Sequence, residues 1–165
     1  MMLFITIIIT GLVAGIFFCW SVSITKGLAA LPDKEYIDVF QSLNREIQNP
    51  LFFICFFGAA ILLPVSAWQN YEQPQPLRFW LLLAASFIYL VGVMVVTVVG
   101  NIPLNESLDT FNTASATMSE VATRRLIFEK PWNQLNNLRT VASVIAFVLL
   151  ILACFVKHSI AEIKI

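Results

Sequence analysis

Residues 79–105 read FWLLLAASFIYLVGVMVVTVVGNIPLN, an unbroken stretch without Asp, Glu, Lys or Arg. A helix crossing the hydrocarbon core of a bilayer needs about 20 mostly apolar residues, and this stretch exceeds that. Runs 1–25, 47–71 and 140–156 are likewise uncharged, so all ten basic and all ten acidic residues fall outside four apolar blocks. Strands of a membrane barrel alternate apolar and polar positions over about 10 residues; Leu3–Ile9 and Val91–Val99 do not alternate. The blocks predict four membrane-spanning helices, at about 3–24, 51–68, 79–99 and 135–156, within one domain covering 1–165. The expected fold is an all-α integral membrane protein. It is a four-helix transmembrane bundle with short amphipathic helices in its first and third connectors.

Composition excludes the other classes. Hydrophobic residues make up 59% of the chain and charged residues 12%, against about 45–50% and 25% in soluble domains. Mean hydropathy is +0.83. A soluble globule of this size has too little interior to hide so much apolar surface, and disordered chains are poor in aromatic and aliphatic residues. Net charge is zero, with no basic patch for a phosphate backbone, which argues against nucleic acid and leaves membrane lipid as the implied surrounding. Cys19, Cys55 and Cys154 lie singly in three apolar runs and read as small hydrophobes. His158, the lone histidine, falls beyond the last run and reads as an interfacial side chain, so no metal site is expected. Residues 3–24 are longer than a signal-peptide core of about 7–15 residues and have no preceding Lys or Arg; a retained helix is expected.

The connectors carry the polar chemistry. Gly11-x-x-x-Gly15 in the first helix allows close helix approach. After it, Leu31-Pro32-Asp33 supplies a turn with Asp33 as an N-cap candidate. Tyr36, Ile37, Phe40, Leu43 and Ile47 then form an apolar stripe at helical spacing, with Asp38, Gln41, Asn44 or Arg45 opposite. Pro64 predicts a kink late in the second span. Pro103 predicts the end of the third at Gly100-Asn101-Ile102. Phe111 to Glu129 has room for one helix, broken before Lys130-Pro131-Trp132, with the last span starting near Trp132.

Trp132, Asn136, Arg139 and Ser143 are spaced 4, 3 and 4 apart and share one helix face. Polar groups there need partners or water. Either Arg139 snorkels to the headgroups or the face lines a cavity. The cavity is favoured because the first and third connectors share a membrane side, and that side holds Gln41, Asn44, Arg45, Glu46, Asn101, Asn105, Glu106 and Asp109. Guanidinium donors beside amides suit a developing anion.

With these residues in place, the chain resembles the anthrone oxygenase-like membrane family, DUF1772. The matching features are Gly15-x-Phe17-x-x-Trp20, Phe40-Gln41-x-x-Asn44-Arg45, Val96-Thr97-x-x-x-Asn101-x-Pro103-Leu104-Asn105 and Trp132-Asn133-x-x-Asn136-x-x-Arg139. The resemblance implies oxidation of a hydrophobic aromatic, anthrone- or quinol-like, without metal, flavin or other cofactor. A base removes an acidic C–H and the enolate reacts with O₂. It implies Asn44, Arg45, Asn136 and Arg139 as catalytic groups, and Trp20, Gln41, Asn101, Asn105 and Trp132 as substrate-binding ones. Glu46 and Glu106 are the nearest base candidates. The two tryptophans either stack on substrate or sit in an interfacial belt. The alternative is a non-catalytic four-span protein binding a partner protein or lipid at its polar end; a transporter is weaker, since no span carries a central charge. The polar-end connectors hold Lys26, Lys34, Arg45, Arg124, Arg125, Lys130 and Arg139 against Arg78, Lys157 and Lys164 elsewhere, which predicts a cytoplasmic polar end and outer termini.

Overall fold

A computed structural model describes residues 1–71 and 76–156. The polar link at 72–75 and the tail with His158 lie outside the described residues. Helix α1 spans Met2–Ala29, α2 Asp33–Glu46, α3 Pro50–Gln69, α4 Leu77–Asp109 and α5 Met118–Phe155. All but α2 are long and apolar enough to cross a membrane, as the charge-free runs predicted. Each of α1 and α4 packs against both α3 and α5, so the ring order is α1–α3–α4–α5 with antiparallel neighbours.

Lipid tails are as apolar as the side chains they meet, so spanning helices adhere through close approach and hydrogen bonds. The interior is accordingly built from small residues: Ala14, Ala59, Ala85, Ala146 and Ala153 are all buried, while Phe4, Ile61 and Phe87 face outward. The Thr6 and Ser66 hydroxyls share a 3.1 Å hydrogen bond between α1 and α3, and Tyr89 donates to the Phe56 carbonyl across α3 and α4. Among the glycines the closest packing is at Gly92, where an added Cβ would lie 2.5 Å from Cβ of Ala142. Of the expected glycine pair, only Gly11 serves a close contact, with the Phe147 ring; a Cβ on Gly15 would meet nothing within 4 Å.

Three local expectations are corrected. Pro103 does not end the third span, because two π-helical stretches, Leu90–Val95 and Thr97–Asn101, precede it. There the Ile102 N–H reaches back to the Thr97 carbonyl, and the slipped ladder passes into the helical turn containing Pro103. Pro131 does not break the last connector from the last span: α5 runs through it for 38 residues. A proline inside a helix costs about 3 kcal/mol through its lost hydrogen bond and the clash of its ring with the preceding turn, offset here by the burial of Phe128 and Trp132 on the same helix. Asp33 is not a cap but the first residue of α2, and it accepts from Arg125 Nη1 at 3.0 Å. Asn49 instead caps α3, taking the Phe52 N–H, and Thr117 with Glu120 forms a capping box on α5.

Gly92→Ala forces α4 and α5 apart, so it should destabilise the protein by about 1–3 kcal/mol. Gly15→Ala, in open space, should be neutral or gain up to about 1 kcal/mol from helix propensity. Unfolding of both variants in mixed detergent micelles checks the pair.

Candidate functional site

At the connector end the bundle opens into a cavity of about 510 Å³, within the range of about 300–1,000 Å³ for small-ligand sites. Every helix contributes to it. Phe17 and Trp20 come from α1, Asn44 from the end of α2, and Phe52, Phe53, Phe56 and Phe57 from α3. Helix α4 supplies Thr97, Asn105, Glu106 and Asp109, and α5 supplies Trp132, Asn136 and Arg139.

Arg139 sits at the base and is 7% exposed, so it does not snorkel to the headgroups. Its guanidinium stacks over Phe17 at 4.5 Å, and Nη2 donates to Asn136 Oδ1 at 3.0 Å. Nη1 donates to the Thr97 hydroxyl at 3.3 Å. Among the described residues no carboxylate lies within ion-pair distance of it, and its Nε has no hydrogen-bond partner. A guanidinium offers five N–H donors. Two are used on neutral acceptors, so no counter-charge neutralises the group and it retains spare donors.

Asn136 is fully buried and oriented from behind. Its Nδ2 donates to Ser21 Oγ at 2.9 Å and to the Phe17 carbonyl at 3.4 Å. That carbonyl stands at the start of a π-helical turn over Trp20–Ile24, where it also accepts the Trp20 N–H and the Thr140 hydroxyl. The amide oxygen is thereby presented to Arg139.

Trp20 and Trp132 are buried, not in an interfacial belt. Their rings are 5.1 Å apart, and both pack on Phe40. The Trp132 indole donates to Asn105 Oδ1 at 2.7 Å, leaving the Asn105 NH₂ as its free donor group. The rotation of α2 turns Asn44 inward and the next residue outward. Arg45 therefore stands on the outer rim, its side chain 60% exposed, with Nε donating to Asp109 at 2.7 Å. Gln41 is spent on the α4 end, where its Nε2 donates to the carbonyls of Leu108 and Phe111. Asn101 is fully buried beside the cavity rather than in its wall, and neither amide atom has a hydrogen-bond partner among the described residues. Of the two expected bases, Glu106 lines the cavity and Glu46 does not. Among the described residues no three His, Cys, Asp or Glu side chains gather as a metal set.

The phenylalanine wall and the Ser21–Phe17 support went unread in the sequence. Phe52, Phe53, Phe56 and Phe57 do share a helix face at i, i+1, i+4 and i+5, which is a usable signal. A carbonyl turned outward by a π-turn leaves none.

These features define a four-span membrane protein with a buried cation at the base of an aromatic cavity. Over residues 48–149, which cover α3, α4 and most of α5, the chain matches the family model described as anthrone oxygenase, and it belongs to that family. No curated protein and no solved structure matches the chain.

The first connector is strapped over the site by Asp38, which accepts from Lys34 and from the Thr113 hydroxyl. The Lys34 bond, then the Thr113 bond, holds its carboxyl below the ordinary value of 3.8. A depressed folded pKa means that the strap is complete above the unfolded value and is lost as pH falls through the lower folded one. Hydrogen exchange at residues 110–113, taken relative to the intrinsic amide rate at the same pH, should therefore accelerate on acidification below about pH 4. In Asp38→Asn it should be faster at neutral pH and insensitive to that step.

Proposed function

We propose that the protein oxidises a flat hydrophobic aromatic ketone or phenol, of the anthrone or quinol type, using O₂ as the oxidant. The observation that carries the reading is Arg139: a buried guanidinium with spare donors and no carboxylate partner, at the base of an aromatic cavity. Such a group favours an anion, and a neutral substrate that becomes an enolate supplies one only as the reaction proceeds.

The aromatic substrate lies between the Trp20–Trp132 wall and the phenylalanine wall, with its oxygen toward Arg139. Glu106 takes the acidic C–H proton, and the electron pair moves onto the oxygen that Arg139 holds. Asn136 fixes the guanidinium, while Asn44 and Asn105 add neutral donors. The enolate adds O₂ at carbon and takes up a proton to give a hydroperoxide, which loses water to leave a new carbonyl. Each methylene oxidised consumes one O₂ and releases one water. In this reading Arg45 stays at the rim holding Asp109, and Gln41 braces the end of α4.

Removing one preorganised oxyanion donor costs about 100- to 1,000-fold in rate. Arg139→Leu, purified in detergent with its helical circular dichroism retained, should lose quinone formation and oxygen uptake on anthrone by that factor. Glu106→Gln should lose turnover while still binding anthrone. Wild-type protein that binds anthrone without consuming oxygen would leave a binding protein in place of the enzyme.

A further inference from the structure

The lining of the cavity divides into two sets of opposite chemistry. Toward the connectors, Asn44, Gln48, Glu106, Asp109 and Thr110 form a polar mouth. Sideways, Phe53, Phe57 and Ile102 line the cavity and are also 39%, 49% and 40% exposed on the outer surface. The gap arises from the packing of α4. Its first part, Leu77–Tyr89, lies along both α3 and α5, whereas the π-helical stretches from Leu90 onward keep their packing on α5 and draw off α3. The two helices are closed at the far end and parted at the cavity end.

The depth of the gap follows from the length of α3. Its 20 residues measure about 30 Å, the thickness of the hydrocarbon core. Polar Asn49 caps one end, and the indole of Trp68, 77% exposed, marks the other. This helix has no spare length to slide along the membrane normal. Phe53 and Phe57, three and seven residues past Pro50, lie about 5 and 10 Å below that end. The side opening therefore faces acyl chains rather than water.

We infer that the aromatic substrate reaches the cavity from the bilayer, through this lateral opening between α3 and α4. The inference rests on the reading of the cavity as the site of a flat apolar aromatic, and adds its source. A bilayer-dissolved aromatic passes from acyl chains to phenylalanine faces without crossing water. The polar mouth serves the other traffic: protons from Glu106 and the water released. The lateral opening thereby selects for substrates that partition into membrane, and its width between Phe57 and Ile102 sets the size admitted.

The test uses a probe that cannot arrive from water. The full chain is reconstituted in phosphatidylcholine vesicles doped with two phosphatidylcholines, one carrying a benzophenone on its acyl chain close to the glycerol and one carrying it midway along the chain. It is then irradiated, and the adducts are mapped by mass spectrometry. Phe17 and Phe56 are covered from lipid but face the cavity, whereas Ile61 and Phe87 face lipid directly. Adducts are expected on both pairs, and excess anthrone should suppress only those on Phe17 and Phe56. Ile102→Trp, which narrows the gap, should lower the cavity adducts severalfold and leave Ile61 and Phe87 unchanged. Adducts confined to the outward pair in the wild type, or cavity adducts indifferent to anthrone, overturn the inference. The readout needs no turnover, so cavity labelling without oxygen uptake separates a failed oxygenase reading from a failed route.

Discussion

A single uncompensated charge organises the polar end of this bundle. Placing Arg139 on a membrane helix is costly unless water or hydrogen-bonding groups replace its hydration shell. A buried carboxylate would neutralise it and remove its pull on an anion. The fold instead surrounds it with neutral or polarisable groups: the Phe17 ring, the Asn136 amide oxygen and the Thr97 hydroxyl. Those partners must themselves be held, and that requirement reaches back to Ser21 and the Phe17 carbonyl on α1, to both of which Thr140 of α5 is hydrogen-bonded. The cavity is the space left beside a cation that has not been paired.

The π-helical stretches make that arrangement possible. Trp20–Ile24, Leu90–Val95 and Thr97–Asn101 lie in the two helices that flank α5. Each widens the helix locally, turning side chains and carbonyls that a regular helix would keep aligned; such insertions are frequent at functional sites. In α1 the Phe17 carbonyl becomes available to α5, and in α4 the chain passes through Pro103 and leans away from α3. The geometry that frees an acceptor in one helix opens a gap beside the other.

Much of this was readable in the sequence, because absence of charge over helical lengths is a direct statement about solvent. The four spans follow from that absence, and the amphipathic α2 and the shared face of Trp132, Asn136 and Arg139 from helical periodicity. Pro103 and Pro131 misled for one reason: a proline lacks one hydrogen bond, and the sequence does not say whether the neighbouring ladder can absorb that loss. Asn44 and Arg45 show the other limit. Adjacent residues on a helix point about 100° apart, so a small rotation of α2 decides which of them faces the cavity. That rotation is set by Phe40 packing on Trp20, Phe128 and Trp132, contacts that only tertiary structure creates.

The tryptophan pair has an optical consequence. Trp20 and Trp132 stand together in the cavity wall, while Trp68 and Trp80 face lipid. Two of the four indoles thus touch whatever occupies the cavity, and the other two serve as an internal reference. A quinone is an efficient acceptor of indole excitation, so a quinone bound in the cavity would darken the buried pair before the lipid-facing one. Without any added dye, the protein's own emission becomes a gauge of when its cavity is full.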